Sequence, residues 1–285
     1  SGDGGGGGGS GDGGGGDRDA VGAGFDVVLD GAWKKECEPR GGSLARLNCG
    51  LLSQPAPVQF AILAAPVTSG HASTGYTLAD ALCAPPRTAR HFTERLVLLP
   101  AGAYPFSHAS WVDATAPTPT RAGAMLPSAH VVLASFVQRW KLNPRAFACW
   151  SNVLRREPAA SLWLLQHSLD GPSGALSALL RGELRGLSPR RLAIMPRQPL
   201  EQHVHRTGLA DLVLDTFPYT AHTTVADAVW VRGPPWLAMA AGERFDSLLS
   251  STAVHHLGVG SLRQQSLRQF EDVGSALVGL SRYQG

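Results

Sequence analysis

Short apolar runs alternate with amphipathic stretches from residue 130 onwards, and this alternation constrains the fold more than any other feature. Predicted strands carry the apolar runs: His130–Phe136, Ser161–Gln166, Arg191–Met195, Asp211–Asp215 and Pro235–Met239. Predicted helices lie between and after them: one starting at Asn143-Pro144, then Ser173–Leu184, Leu200–Arg206, Thr224–Val231, Phe245–Leu257 and Leu262–Leu280. Such alternation predicts an α/β fold with a parallel sheet. Parallel sheets bind ligands at the carboxyl ends of their strands, so the loops after Phe136, Met195 and Asp215 are the candidate sites.

The first half of the chain is less regular. Three predicted strands, Phe25–Gly31, Pro55–Ala64 and Leu96–Pro100, give a partial first lobe over residues 24–115. Pro, Ala, Ser and Thr are enriched between residues 101 and 130, and we expect a linker at 116–129 followed by a second lobe at 130–285. Residues 1–23 are dominated by glycine and cannot bury a core, so we expect this segment to be disordered.

Composition excludes several classes of protein. The net charge of +3 comes from 25 basic and 22 acidic residues, which argues against a nucleic-acid or anionic-membrane partner. The sequence contains no apolar run of 18 residues and no signal-peptide pattern. The four scattered cysteines lack metal-site spacing, so we expect reduced thiols, a cytoplasmic or nuclear protein, and no metal.

The stretch from Asp215 to Asp227 joins a predicted strand to a predicted helix and allows two interpretations. Thr224 and Asp227 have the spacing of a capping box, which would make this simply a well-capped helix. Alternatively, the amides of Thr223 and Thr224 and the helix dipole hold a diphosphate. His222 would then add a donor beside the phosphates, and Asp227 would meet a ribose hydroxyl.

Other candidate residues follow neighbouring strands. Lys141, with Gln138 in the same loop, lies beyond the strand that ends at Phe136; it is either a surface charge or a cation for a leaving diphosphate. His203 lies one helical turn before Arg206 and is either a surface histidine or a nucleotide partner. Thr68-Ser69-Gly70 is either an ordinary turn or a small-residue wall that lets a sugar approach the backbone.

Several stretches resemble the catalytic region of protein O-GlcNAc transferases, including SPINDLY-related members. FVQRWKLNPRAFACW, from Phe136 to Trp150, resembles "SFNNxYKIxPxxxxxW", and the block from Arg191 to Trp230 resembles the family's "EHL-R" helix and "DLFLDTxPYNAHTTxSDALW". In the first lobe, QPAPVQFAILAAPVTSG resembles "RPAPIQxxWLGYPGTSG", and DVVLDGAW resembles "DILVDLNGxT". The shared order of these matches covers residues from about Phe25 to Leu280.

This resemblance implies a GT-B architecture, in which two Rossmann-like lobes hold a sugar nucleotide between them. It implies inverting, metal-independent transfer of N-acetylglucosamine from UDP-GlcNAc to Ser or Thr of acceptor proteins, with no cofactor. It carries nucleotide-binding roles onto Gln138, Lys141, His203, His222, Thr223, Thr224 and Asp227, with Lys141 stabilising the leaving diphosphate. It places Thr68, Ser69 and Gly70 on the sugar and acceptor side.

The departures from the family pattern lie mainly in the first lobe. The "SxDFxxHxxxH" segment, proposed in the family for catalysis or acceptor handling, has no counterpart before Phe25, so we find no general base and expect the first lobe to be truncated. The tetratricopeptide repeats usual upstream are also missing. Two alternatives stay open: a SPINDLY-like fucosyltransferase using GDP-fucose, and a non-catalytic module that binds a nucleotide sugar or a partner.

Overall fold

The computed structural model describes residues 27–30, 56–62, 67–102, 108, 112–117, 119–166, 180 and 182–282. The predicted disordered segment 1–23 and most of the predicted helix Ser173–Leu184 lie outside these residues.

The first lobe contains a parallel sheet of four strands. The strands are β1 (Val27–Asp30), β2 (Val58–Ala61), β3 (Tyr76–Asp80) and β4 (Arg95–Leu99), paired in the order β1-β2-β3-β4. β1, β2 and β4 fall within or beside the predicted strands, but sequence analysis missed β3. Its polar residues Thr77 and Asp80 interrupt the apolar run, yet both are buried, at 4% and 2% exposure.

The second lobe contains a parallel sheet of six strands. They are β5 (Val131–Ser135), β6 (Ala160–Leu165), β7 (Leu192–Met195), β8 (Leu212–Leu214), β9 (Trp236–Met239) and β10 (Arg263–Gln264), in the order β10-β9-β8-β5-β6-β7. The chain runs outward from β5 to β7, then restarts at β8 on the other side of β5. The carboxyl ends of β5 and β8 therefore form a topological switch point, the usual ligand crevice of such sheets.

Helices cover both faces of this sheet. They are α1 (Pro144–Arg156), α2 (Leu200–Thr207), α3 (Thr223–Trp230), α4 (Leu249–His256) and α5 (Leu267–Arg282). Alternate residues of β5 point to opposite faces. Leu133 packs with α1 and α5 on one face, and Val132 packs with α3 and α4 on the other.

Local chemistry explains where the helices begin and end. Asn143 caps α1 by accepting a hydrogen bond from the Ala146 amide at 3.1 Å, and Pro144 occupies the first turn, as the sequence predicts. α3 ends at Trp230, and the Gly233 amide beyond it donates to the Ala228 carbonyl oxygen at 2.8 Å. A Cβ at Gly233 would lie 2.7 Å from that oxygen, so this close approach requires glycine.

The predicted helix Leu262–Leu280 was wrong in its first turn. Arg263 and Gln264 instead extend the sheet by pairing with β9, and α5 begins only at Leu267. A two-residue edge strand has no periodicity of its own, so only its pairing with β9 reveals it. The predicted helix Phe245–Leu257 is likewise a 3₁₀ turn, Phe245–Ser247, followed by α4.

Candidate functional site

A cavity of about 260 Å³ lies at the carboxyl edge of the second-lobe sheet and is lined by loops and by two helices. Five of the seven predicted nucleotide-binding residues line it: Gln138, His203, Thr223, Thr224 and Asp227. They come from the loop after β5, from α2 and from α3. The switch-point geometry thus brings together residues as distant in the sequence as Gln138 and Asp227.

His203 is held as a neutral ring in this cavity. Arg206 Nε donates a hydrogen bond to His203 Nδ1 at 3.1 Å, and the ring meets Phe136 edge-on with centroids 5.3 Å apart. Burial, then the charges of Arg206 and Arg197, lower the pKa of His203 to about 4. Because Nδ1 accepts a hydrogen bond, the single ring proton at neutral pH lies on Nε2, which leaves His203 as a hydrogen-bond donor.

Gln138 joins the loop after β5 to the loop after β7. Arg197 Nη2 donates to Gln138 Oε1 at 2.7 Å, and both residues line the cavity. Sequence analysis did not single out Arg197, although it pointed to the loop after Met195. The signal was position alone, because an arginine in a polar loop is ordinarily a solvated charge.

The first turn of α3 lines the same cavity with Thr223 and Thr224. α3 begins at Thr223, and its N-cap residue, His222, makes no side-chain capping hydrogen bond. The first amides of a helix lack intrahelical acceptors, and the helix dipole adds partial positive charge there. The Thr224–Asp227 capping box was therefore a wrong interpretation, because Thr224 lies inside the helix and Asp227 has a different partner.

That partner is His108, which sequence analysis missed. His108 Nε2 and Asp227 Oδ1 are hydrogen-bonded at 2.7 Å, and the His108 ring stacks on Trp230 at 5.8 Å. Burial raises the pKa of Asp227, and the hydrogen bond and charge of His108 act against that rise. No sequence spacing signals this pair, because it joins residues 119 positions apart.

Lys141 lies under the loop that leads into α3. Its Nζ donates to the Thr220 carbonyl oxygen at 2.7 Å and sits 4.6 Å from the centroid of the Tyr219 ring. The Lys141 side chain is buried. Lys141 is not among the described residues that line the 260 Å³ cavity. The structure therefore places this cation below the turn at the N-terminus of α3.

Asp215 organises the same loop from its other end. Its carboxylate accepts hydrogen bonds from the Thr216 amide at 2.8 Å, the Ala221 amide at 2.9 Å and the Ser250 hydroxyl. Complete burial raises the pKa of Asp215 to about 6, although these hydrogen bonds and Lys141 act in the opposite direction. Asp215 thus fixes the backbone of residues 215–221 and carries a titratable charge inside the second lobe.

Asp215→Asn is expected to remove a pH dependence of stability. The folded-state pKa of Asp215 lies above its usual 3.8, so its contribution to stability is full below about pH 4 and is lost as the pH rises through 6. Asparagine keeps an oxygen for the two amides, and its amide group donates to Ser250. The free energy of unfolding of the wild type, relative to the variant, should fall by about 2 kcal/mol between pH 4 and pH 7. Urea unfolding at both pH values measures this difference, and parallel pH profiles would contradict it.

The structure separates His222 from the other predicted residues. His222, Val225, Ala226 and Val229 have the i, i+3, i+4, i+7 spacing of one helix face, and they line a second cavity of about 240 Å³. Asp80, at the end of β3, lines this second cavity from the first lobe. α3 therefore stands between the two cavities, with Thr223, Thr224 and Asp227 on one side and His222 on the other.

The predicted Thr68-Ser69-Gly70 loop lies apart from both cavities. Thr68 Oγ1 donates to Glu94 Oε2 at 2.7 Å, and Gly70 adopts a φ of +69°, which favours glycine. Burial acts to raise the pKa of Glu94, but hydrogen bonds from Ser69 and Thr68 outweigh it and lower that pKa. Thr68 lines a cavity of about 320 Å³ that also contacts Glu243 to Asp246 of the second lobe, so its sugar-side role stays a prediction.

Two further observations concern the described part of the chain. Its His, Cys, Asp and Glu residues form no group of three or more that could hold a metal ion. Its helices include none with the length and apolar character needed to cross a membrane.

Two lobes, each with a parallel sheet, and a ligand crevice at a switch point are the architecture of the GT-B fold. An O-GlcNAc transferase mutant from Thermobaculum terrenum has a similar structure: the TM-score is 0.71, the identity is 25%, and the match covers 93% of this chain and 48% of that one. The family described as glycosyl transferase family 41 matches residues 110–283. The chain belongs to glycosyl transferase family 41.

Curated relatives agree with this assignment. The probable UDP-N-acetylglucosamine--peptide N-acetylglucosaminyltransferase SEC of Arabidopsis thaliana is 27% identical over 230 residues, which is 79% of this chain and 23% of that protein. The SPINDLY protein of Petunia hybrida, which carries the same enzyme name, is 27% identical over 230 residues, or 80% of this chain and 23% of its own length. The chain thus spans under a quarter of the length of these relatives.

Proposed function

We propose that this chain binds UDP-GlcNAc and transfers N-acetylglucosamine to Ser or Thr hydroxyls of acceptor proteins. The observation that carries the proposal is the cavity at the switch point, where Gln138, His203, Thr223, Thr224 and Asp227 converge. Membership of family 41 and the names of the relatives support the same donor and acceptor class.

Each group in the cavity has a role that its geometry supports. The Nε2–H of neutral His203 donates to a nucleotide oxygen, and the Asp227 carboxylate accepts from a ribose hydroxyl. The free amides of Thr223 and Thr224 receive the diphosphate at the helix N-terminus. Lys141, beneath the Thr220 carbonyl, adds a full positive charge at this point.

Positive charge at the first turn of α3 is the chemical basis of the proposed transfer. A nucleoside diphosphate leaves as an anion, and preorganised amides and a buried ammonium stabilise that charge as it develops. These groups act without reorganisation, because the Asp215 hydrogen bonds already hold the loop in place. The proposed mechanism is inverting and uses no metal or other cofactor.

Nucleotide binding is the first test of the proposal. UDP at about 100-fold over its Kd should stabilise the fold by about 2.7 kcal/mol, seen as a rise in Tm. GDP at the same concentration should give a much smaller rise, and the UDP effect should persist in EDTA. A larger rise with GDP would favour the GDP-fucose alternative, and no rise with either nucleotide would refute the donor site.

Transfer is tested separately by incubating the protein with UDP-[¹⁴C]GlcNAc and Ser/Thr-containing peptides. We expect labelled peptide that β-elimination releases, as for an O-linked sugar. If UDP binds but the intact chain labels no peptide, the non-catalytic alternative is correct for this chain.

A further inference from the structure

The hydrogen bond between His108 and Asp227 connects the nucleotide cavity to the part of the chain that joins the two sheets. Asp227 lines the 260 Å³ cavity from α3. His108 follows β4, the last strand of the first sheet, and precedes β5, the first strand of the second. His108 is not among the described residues that line the cavity, although its Nε2 lies 2.7 Å from Asp227 Oδ1. Any effect of His108 on a nucleotide is therefore transmitted by Asp227.

Other contacts hold the His108 ring in place against α3. The ring stacks on Trp230, one helical turn after Asp227, with an angle of 27° between the ring planes. The His108 carbonyl oxygen accepts a hydrogen bond from the Val112 amide at 2.8 Å, and the Val112 carbonyl oxygen accepts one from Trp230 Nε1 at 3.1 Å. His108 is only 4% exposed. Packing and hydrogen bonds thus fix the direction of the imidazole N–H before any ligand binds.

The Asp227 carboxylate has room for a second hydrogen-bond partner. An ionised carboxylate only accepts hydrogen bonds, so His108 Nε2 carries the proton of this one. A carboxylate offers about four acceptor positions on its two oxygens, and His108 uses one of them, on Oδ1. Burial raises the pKa of Asp227, and the hydrogen bond and charge of His108 oppose that rise. Loss of His108 would therefore favour a neutral carboxylic acid and free the side chain to rotate.

We propose that His108 is a positioning residue for the donor, which holds the Asp227 carboxylate towards a ribose hydroxyl of the bound nucleotide. This inference rests on the proposed donor site, and it extends that site to a residue outside the cavity. Asp227 contacts the ribose, and His108 acts only through Asp227. An acceptor that is already oriented loses less conformational freedom on binding, so it contributes more to affinity than a mobile one.

The test compares UDP with 2′,3′-dideoxy-UDP, which lacks both ribose hydroxyls, by calorimetry. The wild type should bind UDP about 10- to 100-fold more tightly, the range expected for one hydrogen bond to a charged group. His108→Ala should lower this affinity ratio by about fivefold or more, because Asp227 is no longer held in place. Its affinity for 2′,3′-dideoxy-UDP should stay within about twofold of the wild-type value. A purely structural role of His108 would instead weaken the binding of both nucleotides alike.

Two conservative variants form a matched pair at this position. The amide nitrogen of His108→Gln reaches approximately the place of Nε2 and can donate to Asp227, whereas His108→Asn is one methylene shorter. The glutamine variant should keep most of the wild-type affinity ratio, and the asparagine variant should lose it as alanine does. Both keep a polar side chain, so the comparison remains decisive if His108→Ala does not fold.

Trp230→Phe is the control for loosening of the chain around His108. It keeps an aromatic ring against the imidazole and removes the hydrogen bond to the Val112 carbonyl. Its affinity ratio for the two nucleotides should stay within about twofold of the wild-type ratio. A loss as large as that of His108→Ala would assign the effect to packing and overturn the proposal.

The remaining outcomes separate the positioning role from the donor site itself. The proposal is overturned if His108→Ala weakens both nucleotides equally, or if the glutamine and asparagine variants have the same affinity ratio. It is also overturned if His108→Ala changes the ratio further in a protein that already carries Asp227→Ala. If the wild type binds UDP and 2′,3′-dideoxy-UDP equally, the donor site stands and the positioning role is wrong. If the wild type does not bind UDP, the donor site is refuted and the positioning role with it.

Discussion

Lys141→Ala is expected to abolish UDP binding in calorimetry, with a loss of affinity of about 100-fold or more. The ammonium is buried under the turn that leads into α3, where the diphosphate is proposed to sit. A charge-assisted interaction contributes about 1.5–3 kcal/mol, and about 2.7 kcal/mol corresponds to a factor of 100 in Kd. Unchanged affinity would refute the proposed role of Lys141.

The control for this variant separates charge at the site from charge in general. Arg145 lies four residues further on, exposed in the first turn of α1. Arg145→Ala removes the same charge from the neighbourhood and should leave UDP affinity within about twofold, because exposed charges are screened. Tm must be measured alongside, since Lys141→Ala also removes the donor to the Thr220 carbonyl.

His108→Ala is expected to destabilise the protein by about 3–5 kcal/mol at neutral pH, since it leaves the buried Asp227 carboxylate without its partner. The double variant His108→Ala/Asp227→Ala should cost less than the sum of the two single variants, because the pair is coupled. Urea unfolding of all four proteins at one pH gives the coupling energy.

An exposed interlobe pair provides the comparison. Arg87 Nε and Glu243 Oε1 lie 3.1 Å apart, and their side chains are 61% and 54% exposed. Arg87→Ala should lower the free energy of unfolding by no more than about 1 kcal/mol. His108 and Asp227 do not act as a buried pair if His108→Ala lowers the free energy of unfolding by as little as Arg87→Ala does. The same conclusion follows if the effects of His108→Ala and Asp227→Ala on that free energy are additive.

Continuous apolar runs made the second-lobe sheet readable from the sequence. All six residues of β6 are buried, and such a strand needs no alternation to be recognised. β3 and β10 were missed because polar residues occupy them. Thr77 and Gln264 are buried only because neighbouring strands and helices pack over them. The sequence around each residue does not show which distant segments pack there.

The same limit applies to the candidate site. Position after a strand made Gln138, His203, Thr223, Thr224 and Asp227 candidates, because parallel strands bring their carboxyl ends to one edge whatever the details of packing. The nucleotide-binding roles came from the resemblance to O-GlcNAc transferases. The role of each remains a prediction.

The sequence by itself determined an α/β fold, the strand ends where chemistry is expected and the residue types available there. Only the tertiary structure decided that Asp227 pairs with His108, that Lys141 turns under Thr220, and that α3 places His222 on a different cavity. The physical reason is that side-chain direction depends on helix phase and on contacts between distant segments. Spacing along the chain fixes neither of these.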